Sequence, residues 1–519
     1  MSGAALLSVY DRSGVVDVAR ALAQRGVALF ATGGTRTHLA AHGLDVRDVS
    51  ELTGYPSLFD GRVKTLHPAV FGGILKDRSN ATHLGEAEAH GIPTIDTVVV
   101  NLYPFEDTVA REGATLQEAI EQIDIGGVSL LRAAAKNHDH VTVLSDPAQY
   151  GSFVAALDQG GLDLPRRRAL ATRAFERTAE YDSAIARYLE SGLLANELPG
   201  SLALTIPIEQ PLRYGENPQD RAAFYLGREA KLPEQLGGKA LSYNNLLDLD
   251  ATLRMLVRAP IGTNDAGARR APHARAAIVK HTIPCGVAER ASVADAVRAA
   301  LDADPVSAYG GIIAVDGVID EAAAEHLAGF FLEIVAAPAF DDAALERLRR
   351  KKNLRIMRFR PGAPERIAAA IRVRSALGGV LAEDDDPAAE REQWRVVSKR
   401  QPTAEEWRDL VFAWDIVRHV KSNGVVLARD GVSRGICAGQ TNRVSAVQIA
   451  GHRAHEYAAG AACASDGFFP FDDGLMAAAD AGCTAVIAPQ GSIRDAEVIA
   501  AADARDVALV FSSYRFFLH

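Results

Sequence analysis

The sequence predicts an α/β protein of at least two domains. Apolar strand-like runs alternate with helical periods from Ala4 onward, turn residues break the chain near residue 196, and the same alternation then resumes. A chain of 519 residues also exceeds what one hydrophobic core supports, since cores stop growing at roughly 250–300 residues. Hydrophobic residues make up 48% and charged residues 24%, an ordinary globular balance that excludes a disordered chain. The net charge of -10 excludes a non-specific grip on nucleic acid, which demands a cationic footprint, so an anionic ligand must be held by local groups. No apolar run reaches the roughly 18 residues that span a bilayer, and the N-terminus lacks a secretory pattern, so a cytoplasmic protein without a membrane partner is expected. Cys285, Cys437, Cys463 and Cys483 are too sparse for a disulfide framework, which fits a reducing compartment.

The first elements follow in order. Ala4 to Val9 reads as a strand, Tyr10 to Gly14 as a turn, Val15 to Leu22 as a helix and Val27 to Phe30 as a second strand. Thr97 to Val100 is β-branched without polar alternation, the mark of a parallel strand buried on both faces, and Val141 to Leu144 is similar. Residues 150–195 are helical in pattern, and Asn196-Glu197-Leu198-Pro199-Gly200 breaks them, which places a domain boundary there. Beyond it, strands are expected at Ala276 to Val279, Gly311 to Val315, Ile334 to Ala337, Val425 to Ala428, Ala485 to Ala488 and Val507 to Phe511. Gly262 to Ala276 and the acidic run Glu383 to Asp386 read as solvated insertions, the latter ahead of a helix with Trp407 and Trp414. Val279-Lys280-His281 and Val420-Lys421-Ser422-Asn423 each set a cation and a polar side chain beside a strand, an echo that suggests duplication.

One chemical constellation lies in the first domain. Ala31-Thr32-Gly33-Gly34-Thr35 joins a strand to a helix, where close backbone approach, hydroxyls and the helix dipole favour an anion, although the pattern is not a dinucleotide fingerprint. In Gly61-Arg62-Val63-Lys64-Thr65-Leu66-His67-Pro68 an extended chain puts Arg62 and Lys64 on one side. Asn101-Leu102-Tyr103-Pro104-Phe105 follows a buried strand, at the end where open α/β sheets bind ligands. Ile123-Asp124-Ile125-Gly126-Gly127 enters a helix that closes at Lys136-Asn137-His138; a helix-start anion and a dipole partner are the plainer roles for Asp124 and Lys136. These motifs, with SVYDRSG, resemble in order the inosine monophosphate (IMP) cyclohydrolase domain of the bifunctional AICAR transformylase/IMP cyclohydrolase family. The resemblance implies that Arg12, Thr32 to Thr35, Arg62 to Thr65, Asn101, Gly126 and Gly127 hold the nucleotide. It implies that Lys64, Tyr103, Asp124 and Lys136 carry ring closure, a dehydration needing a cation for the oxyanion and proton donors but no metal. Arg12 stands where the family more often has Lys.

The second domain carries another. Leu212-Arg213-Tyr214-Gly215-Glu216-Asn217-Pro218 exposes a cation and an aromatic, and Lys280-His281 ends a strand, which makes a tuned acid/base pair credible. His281 with Pro284-Cys285 also invites a zinc deaminase, but residue 288 is Ala288 where a second Cys is needed, and no H-x-E precedes. LRYGENP, LSYNNLLDLDA, KHTIPCGVA, SAYGGIIAVD, IVAAPAF, KSNGVVL, GICAGQ, SDGFFPF and IAPQGS resemble, in order, the AICAR transformylase domain of the same family. That resemblance implies nucleotide contacts from Arg213, Tyr214, Gly310, Glu333, Arg443 and Arg515, ring stacking by Phe468, and Asp473 on the folate side. His281, assisted by Lys280 and Asn423, would manage the proton of an amine that attacks the formyl group of 10-formyltetrahydrofolate. Gln219-Asp220, Thr441-Asn442 and Asp472 depart from the family pattern on the folate side.

The resemblance covers nearly the whole chain, and the match of Arg515 and His519 to the family's C-terminal residues implies a complete one. It implies a methylglyoxal-synthase-like, Rossmann-like domain over residues 1–195 and two cytidine-deaminase-like subdomains over 196–519. Small-molecule nucleotide and folate partners, a homodimer and no metal follow from it. A phosphosugar-sensing module is the rival from another class; the set Lys64, Tyr103, Asp124 and Lys136 speaks against it, because a sensor needs no proton shuttle.

Overall fold

The computed structural model describes residues 3–56, 58–59, 63–191, 198, 200–203, 205–227, 230–258, 273–384 and 394–519. Arg62, most of the stretch at 196–200 and Asp385-Asp386 therefore lie outside the described residues. The chain divides into two compact units, Met1–Pro207 with Gly227–Ala230, and Ile208–Leu226 with Lys231–His519.

In the first unit five parallel strands lie in the order Arg47–Asp48, Ala28–Ala31, Ala4–Val9, Ile95–Asn101, Thr142–Leu144. Successive side chains of a strand point to opposite faces, and here both faces are apolar and covered. Ala4 and Leu6 join a core with Val98, Val100 and the long Leu164–Ser191 helix, which contributes Ala171, Ala174 and Tyr181. Ala5, Leu7 and Val9 join the opposite core, with Val18 and Leu22 of the Val15–Ala23 helix.

The second unit is built on one twelve-stranded sheet. At its centre Ile283–Arg290 pairs antiparallel with Val432–Cys437. On one side the order continues through Ala274–Lys280, Ile312–Val315, Ile334–Ala337, Arg355–Arg358 and Glu234–Gly237. On the other it continues through Val425–Arg429, Ala462–Ser465, Ala485–Pro489, Ala508–Ser512 and Arg395–Val396. Both halves step outward as antiparallel, antiparallel, parallel, parallel, antiparallel. The same supersecondary plan therefore occurs twice. Its register differs from the sequence echo: the Lys280-His281 strand end corresponds to the Arg429-Asp430 strand end, while Lys421 to Asn423 precede a strand.

The two central strands are hidden in the sequence because Pro284, Gly286, Arg434 and Gly435 interrupt their apolar runs. The glycines have one cause. A Cβ on Gly286 would stand 2.1 Å from the Ala300 carbonyl oxygen, and one on Gly435 2.0 Å from that of Ala450. Each marks a helix carbonyl packed directly on a strand.

Arg275 corrects the reading of Gly262 to Ala276 as a solvated insertion. Residues 259–272 are outside the described set, but Ala274–Lys280 is a core strand and Arg275 is only 1% exposed. Its guanidinium donates to Glu289 at 3.0 Å, Asp415 at 2.6 Å and the Met255 carbonyl at 2.9 Å. Two carboxylates and a carbonyl replace the water that this cation loses. Arg275→Met removes the cation shared by both carboxylates, leaving Glu289 with Arg258 at 2.9 Å and Asp415 with Arg418 at 3.5 Å, and is expected to destabilise the second unit by about 3 kcal/mol, the low end for a broken buried ion pair. Arg25→Ala, which removes a surface pair with Asp158, is expected to cost under about 1 kcal/mol. Urea unfolding of the full chain measures both.

Candidate functional site

In the first unit the predicted residues gather where strands end. Asn101 Oδ1 accepts the N–H groups of Tyr10 at 2.6 Å and Asp11 at 2.9 Å, and its Nδ2 donates to the Asp11 carbonyl at 2.7 Å. One amide thus fixes the loop that carries Arg12. Thr35 Oγ1 accepts the Val9 N–H at 3.0 Å and donates to the Val9 carbonyl at 3.1 Å, while Thr32 shares a 3.0 Å hydrogen bond with Ser8. Both hydroxyls expected to face a ligand therefore serve the neighbouring strand.

That arrangement leaves the Gly33–Ala41 helix open. Thr32 is its N-cap by backbone angle, but no side chain caps the helix and no acid stands in its first turn. Arg12 overhangs this start, since a Cβ on Gly34 would meet its Nη2 at 2.9 Å. Unpaired helix-start N–H groups under a guanidinium make an anion site.

Asp124 forms the second part. Its Oδ1 accepts the Gly127 N–H at 2.7 Å, and its own N–H donates to the Tyr181 hydroxyl at 2.9 Å. A Cβ on Gly127 would lie 2.4 Å from Asp124 Oδ2, so a larger residue there pushes the carboxylate aside. Gly126 faces Thr65, whose Oγ1 is 3.0 Å from where its Cβ would be. Burial pushes the Asp124 carboxyl up, against the downward pull of the Gly127 and Tyr103 N–H groups and the Lys64 charge. Burial and then the Asp124 charge push the Tyr103 hydroxyl up. Lys64, Tyr103 and Asp124 thus share one electrostatic environment.

Lys136 does not join them within one chain. It ends the Gly126–Lys136 helix, about 15 Å along the axis from Gly126 at about 1.5 Å per residue. There it lines an open pocket with Arg132, Arg168, Phe71 and Phe175.

In the second unit, Lys280 ends the strand Ala274–Lys280 and His281 opens the two-residue tip His281-Thr282 that leads into Ile283–Arg290. Lys280 Nζ donates to the Tyr309 carbonyl at 2.8 Å, next to Gly310, which takes φ +80° and donates its N–H to Phe331. Glu333 pairs with Arg355 at 2.6 Å. Asn423 donates both its N–H and its side-chain amide to the Gln440 carbonyl, each at 2.9 Å. Gln440 follows Val432–Cys437, which runs antiparallel to the strand after His281, so Asn423 lies toward the His281 edge.

Arg443 pairs with the fully buried Asp466, which also accepts from Ser422. One of its nitrogens is therefore committed to the protein. Arg213 stacks on Tyr214 with its guanidinium 4.7 Å from the ring centroid, and Arg515 stacks on Phe517 at 4.9 Å. Phe468 is half-buried, and Asp473 opens the Asp473–Ala481 helix.

Sequence reasoning missed Tyr181, Asp466 and Asp248. Asp248 accepts the N–H groups of His281 at 3.3 Å and Thr282 at 2.6 Å. Only its place inside the LSYNNLLDLDA motif could have drawn attention to it. The Cys285 thiol is pushed up to about 12, by burial above all, so it stays protonated. Among the described residues no three His, Cys, Asp or Glu side chains converge, and no helix is long and apolar enough to cross a membrane.

A family model described as AICARFT/IMPCHase bienzyme matches residues 134–453, and one described as MGS-like domain matches residues 14–129. Curated relatives named bifunctional purine biosynthesis protein PurH match the chain, three of them as follows. That of Synechococcus sp. (strain CC9902) is 48% identical over 525 residues, that of Parasynechococcus marenigrum (strain WH8102) 49% over 530, and that of Anoxybacillus flavithermus (strain DSM 21510 / WK1) 45% over 526. Each alignment covers 100% of both chains.

The local geometry makes Thr35 a strut. Thr35→Val leaves the buried Val9 N–H and carbonyl without their partner, and is expected to destabilise the first unit by about 1–3 kcal/mol. Thr37→Val, whose exposed hydroxyl bonds only its own helix, is expected to change stability by under about 0.5 kcal/mol. Thermal unfolding of the two variants compares them.

Proposed function

This chain belongs to the AICARFT/IMPCHase bienzyme family, and from that premise we propose how its residues divide the family's two reactions. It is a bifunctional enzyme of the last two steps of IMP synthesis. A formyl group passes from 10-formyltetrahydrofolate to the 5-amino group of AICAR, and the formylated product then closes its ring with loss of water.

Ring closure is assigned to residues 1–195 and formyl transfer to 196–519. In closure the carboxamide nitrogen attacks the formyl carbon, the carbonyl oxygen takes negative charge, and the carbinolamine then loses that oxygen as water. Arg12 and the open Gly33–Ala41 helix start bind the phosphate, with Arg62, Thr65, Asn101, Gly126 and Gly127 around the nucleotide. Thr32 and Thr35 contribute by shaping that start. Lys64 stabilises the oxyanion, while Asp124 and Tyr103 take and return protons. The observation that carries this reading is the shared environment of Lys64, Tyr103 and Asp124. Lys136 is left out of the catalytic set of one chain.

In formyl transfer the amine nitrogen forms a bond to the formyl carbon, the bond from that carbon to the folate nitrogen breaks, and the amine proton must leave. His281 takes that proton, with Lys280 and Asn423 alongside. The hairpin tip that presents Lys280-His281 beside Gly310, with Asn423 on the same edge, supports this assignment. Arg213, Tyr214, Glu333, Arg443 and Arg515 serve the nucleotide, Phe468 a ring, and Asp473 the folate. A cytoplasmic homodimer is the assembly that the family likeness supports.

Lys64→Ala is expected to lower cyclisation by about 10²–10⁴-fold and leave formyl transfer intact, and His281→Ala to do the reverse. Separate assays of IMP formation from the formylated nucleotide, and of formylation with 10-formyltetrahydrofolate, measure this. Loss of both activities in either folded variant refutes separate sites.

The pH profile follows from Asp124. Burial holds its carboxyl above the usual value of about 4, so cyclisation declines as pH falls through that raised value and the carboxylate is protonated. Gly127→Ala disturbs the N–H bond that pulls the carboxyl down, and is expected to move this acid limb to higher pH. Cyclisation rates measured across pH for both proteins give the shift.

A further inference from the structure

The two halves of the twelve-stranded sheet place a carboxylate at the same point. The Tyr243–Arg254 helix of one half begins at Ser242 with a capping box to Asn245, and the Ala404–Val417 helix of the other begins at Thr403 with a capping box to Glu406. Six residues beyond each N-cap stands an aspartate, Asp248 and Asp409. Each accepts two successive N–H groups from a hairpin tip. Asp248 takes those of His281 at 3.3 Å and Thr282 at 2.6 Å, and Asp409 takes those of Asp430 and Gly431, both at 2.9 Å.

Both tips are two-residue turns in the left-handed region, with φ of 56° and 60° at His281 and Thr282, and 56° and 64° at Asp430 and Gly431. Such turns favour Asn-Gly or Asp-Gly, because glycine has no Cβ to clash and a short polar side chain tolerates the bend. The second half has Asp-Gly. The first half has His-Thr, and a β-branched residue at positive φ is an outlier that persists only where its surroundings enforce it. Asn244, one turn before Asp248 on the same helix face, donates to the Glu216 carbonyl at 3.3 Å. One helix face thus holds both the His281 tip and the loop of Arg213 and Tyr214.

We propose that Asp248 is a positioning residue for formyl transfer, its carboxylate holding the His281-Thr282 tip in a left-handed turn that these side chains disfavour and so fixing where the imidazole stands. Asp409 does the same for a tip that carries no chemistry, and serves as an internal control. The proposal rests on the assignment of His281 as the proton-handling group.

The test uses the full-length chain with His281→Ala, Asp248→Ala, Asp248→Asn, Asp409→Ala and the double variant Asp248→Ala with Thr282→Gly. For each, kcat and KM of formyl transfer, the cyclisation rate and the thermal midpoint are measured. Asp248→Ala is expected to lower formyl-transfer kcat by about 10²-fold, the scale of a misplaced catalytic group, with nucleotide KM and cyclisation unchanged. Thr282→Gly, which adopts the turn without a clamp, is expected to restore most of that loss. Asp409→Ala is expected to lower the midpoint and keep kcat.

Full kcat in Asp248→Ala, together with an inactive His281→Ala, overturns the proposal alone. Full formyl transfer in His281→Ala overturns the assignment beneath it. A loss in Asp248→Ala that Thr282→Gly does not relieve, or that Asp409→Ala matches, also overturns the positioning role. If Asp248→Ala does not fold, Asp248→Asn decides: it keeps one acceptor for the Thr282 N–H, an intermediate kcat supports the proposal, and an unchanged kcat overturns it.

Discussion

Backbone N–H groups lose their ladder partners where a strand ends, and a buried one left unpaired costs free energy comparable to a lost hydrogen bond. The chain meets that constraint repeatedly in one way, with a short polar side chain accepting two successive N–H groups. Asn101 does so for Tyr10 and Asp11, Asp248 for His281 and Thr282, and Asp409 for Asp430 and Gly431. Two of these clamps, at Asn101 and Asp248, underlie the candidate sites. A loop tied at both N–H groups has few conformations left, so the side chains it carries are placed before any ligand arrives.

The clamps also decide which groups remain available. Thr32 and Thr35 satisfy Ser8 and Val9, which leaves the start of the Gly33–Ala41 helix without a side-chain cap. Arg12 then has an uncapped dipole end beneath it. Asp124 is occupied by Gly127 on one side and stays within the field of Lys64 and Tyr103 on the other. Each open group owes its freedom to a neighbour that is engaged.

Duplication supplies the frame of the second unit. The two halves share strand order, helix caps, the aspartate clamp and the glycine under a helix carbonyl. What distinguishes them is side-chain chemistry at equivalent positions: His281-Thr282 against Asp430-Gly431. Arg275, on a strand of one half, pairs with Asp415 on a helix of the other, so the halves are locked by charge as well as by the central strand pair.

The alternation of strands and helices, the parallel first sheet and the glycine-rich turns are legible in the residues alone, because periodicity and turn chemistry are local. Val98 to Val100 read as buried on both faces, and they are. The ordered motifs also carried the family. Tertiary structure alone decided which candidate residues meet. It turned the Thr35 hydroxyl onto a strand 26 residues away, set Lys136 at the far end of the helix that Gly126 begins, and joined Asp248 to a tip 33 residues later. The strands at Ile283–Arg290 and Val432–Cys437 were hidden by glycines whose reason is a helix carbonyl pressing on them. Such pairings depend on which elements lie side by side, and no spacing along the chain encodes that.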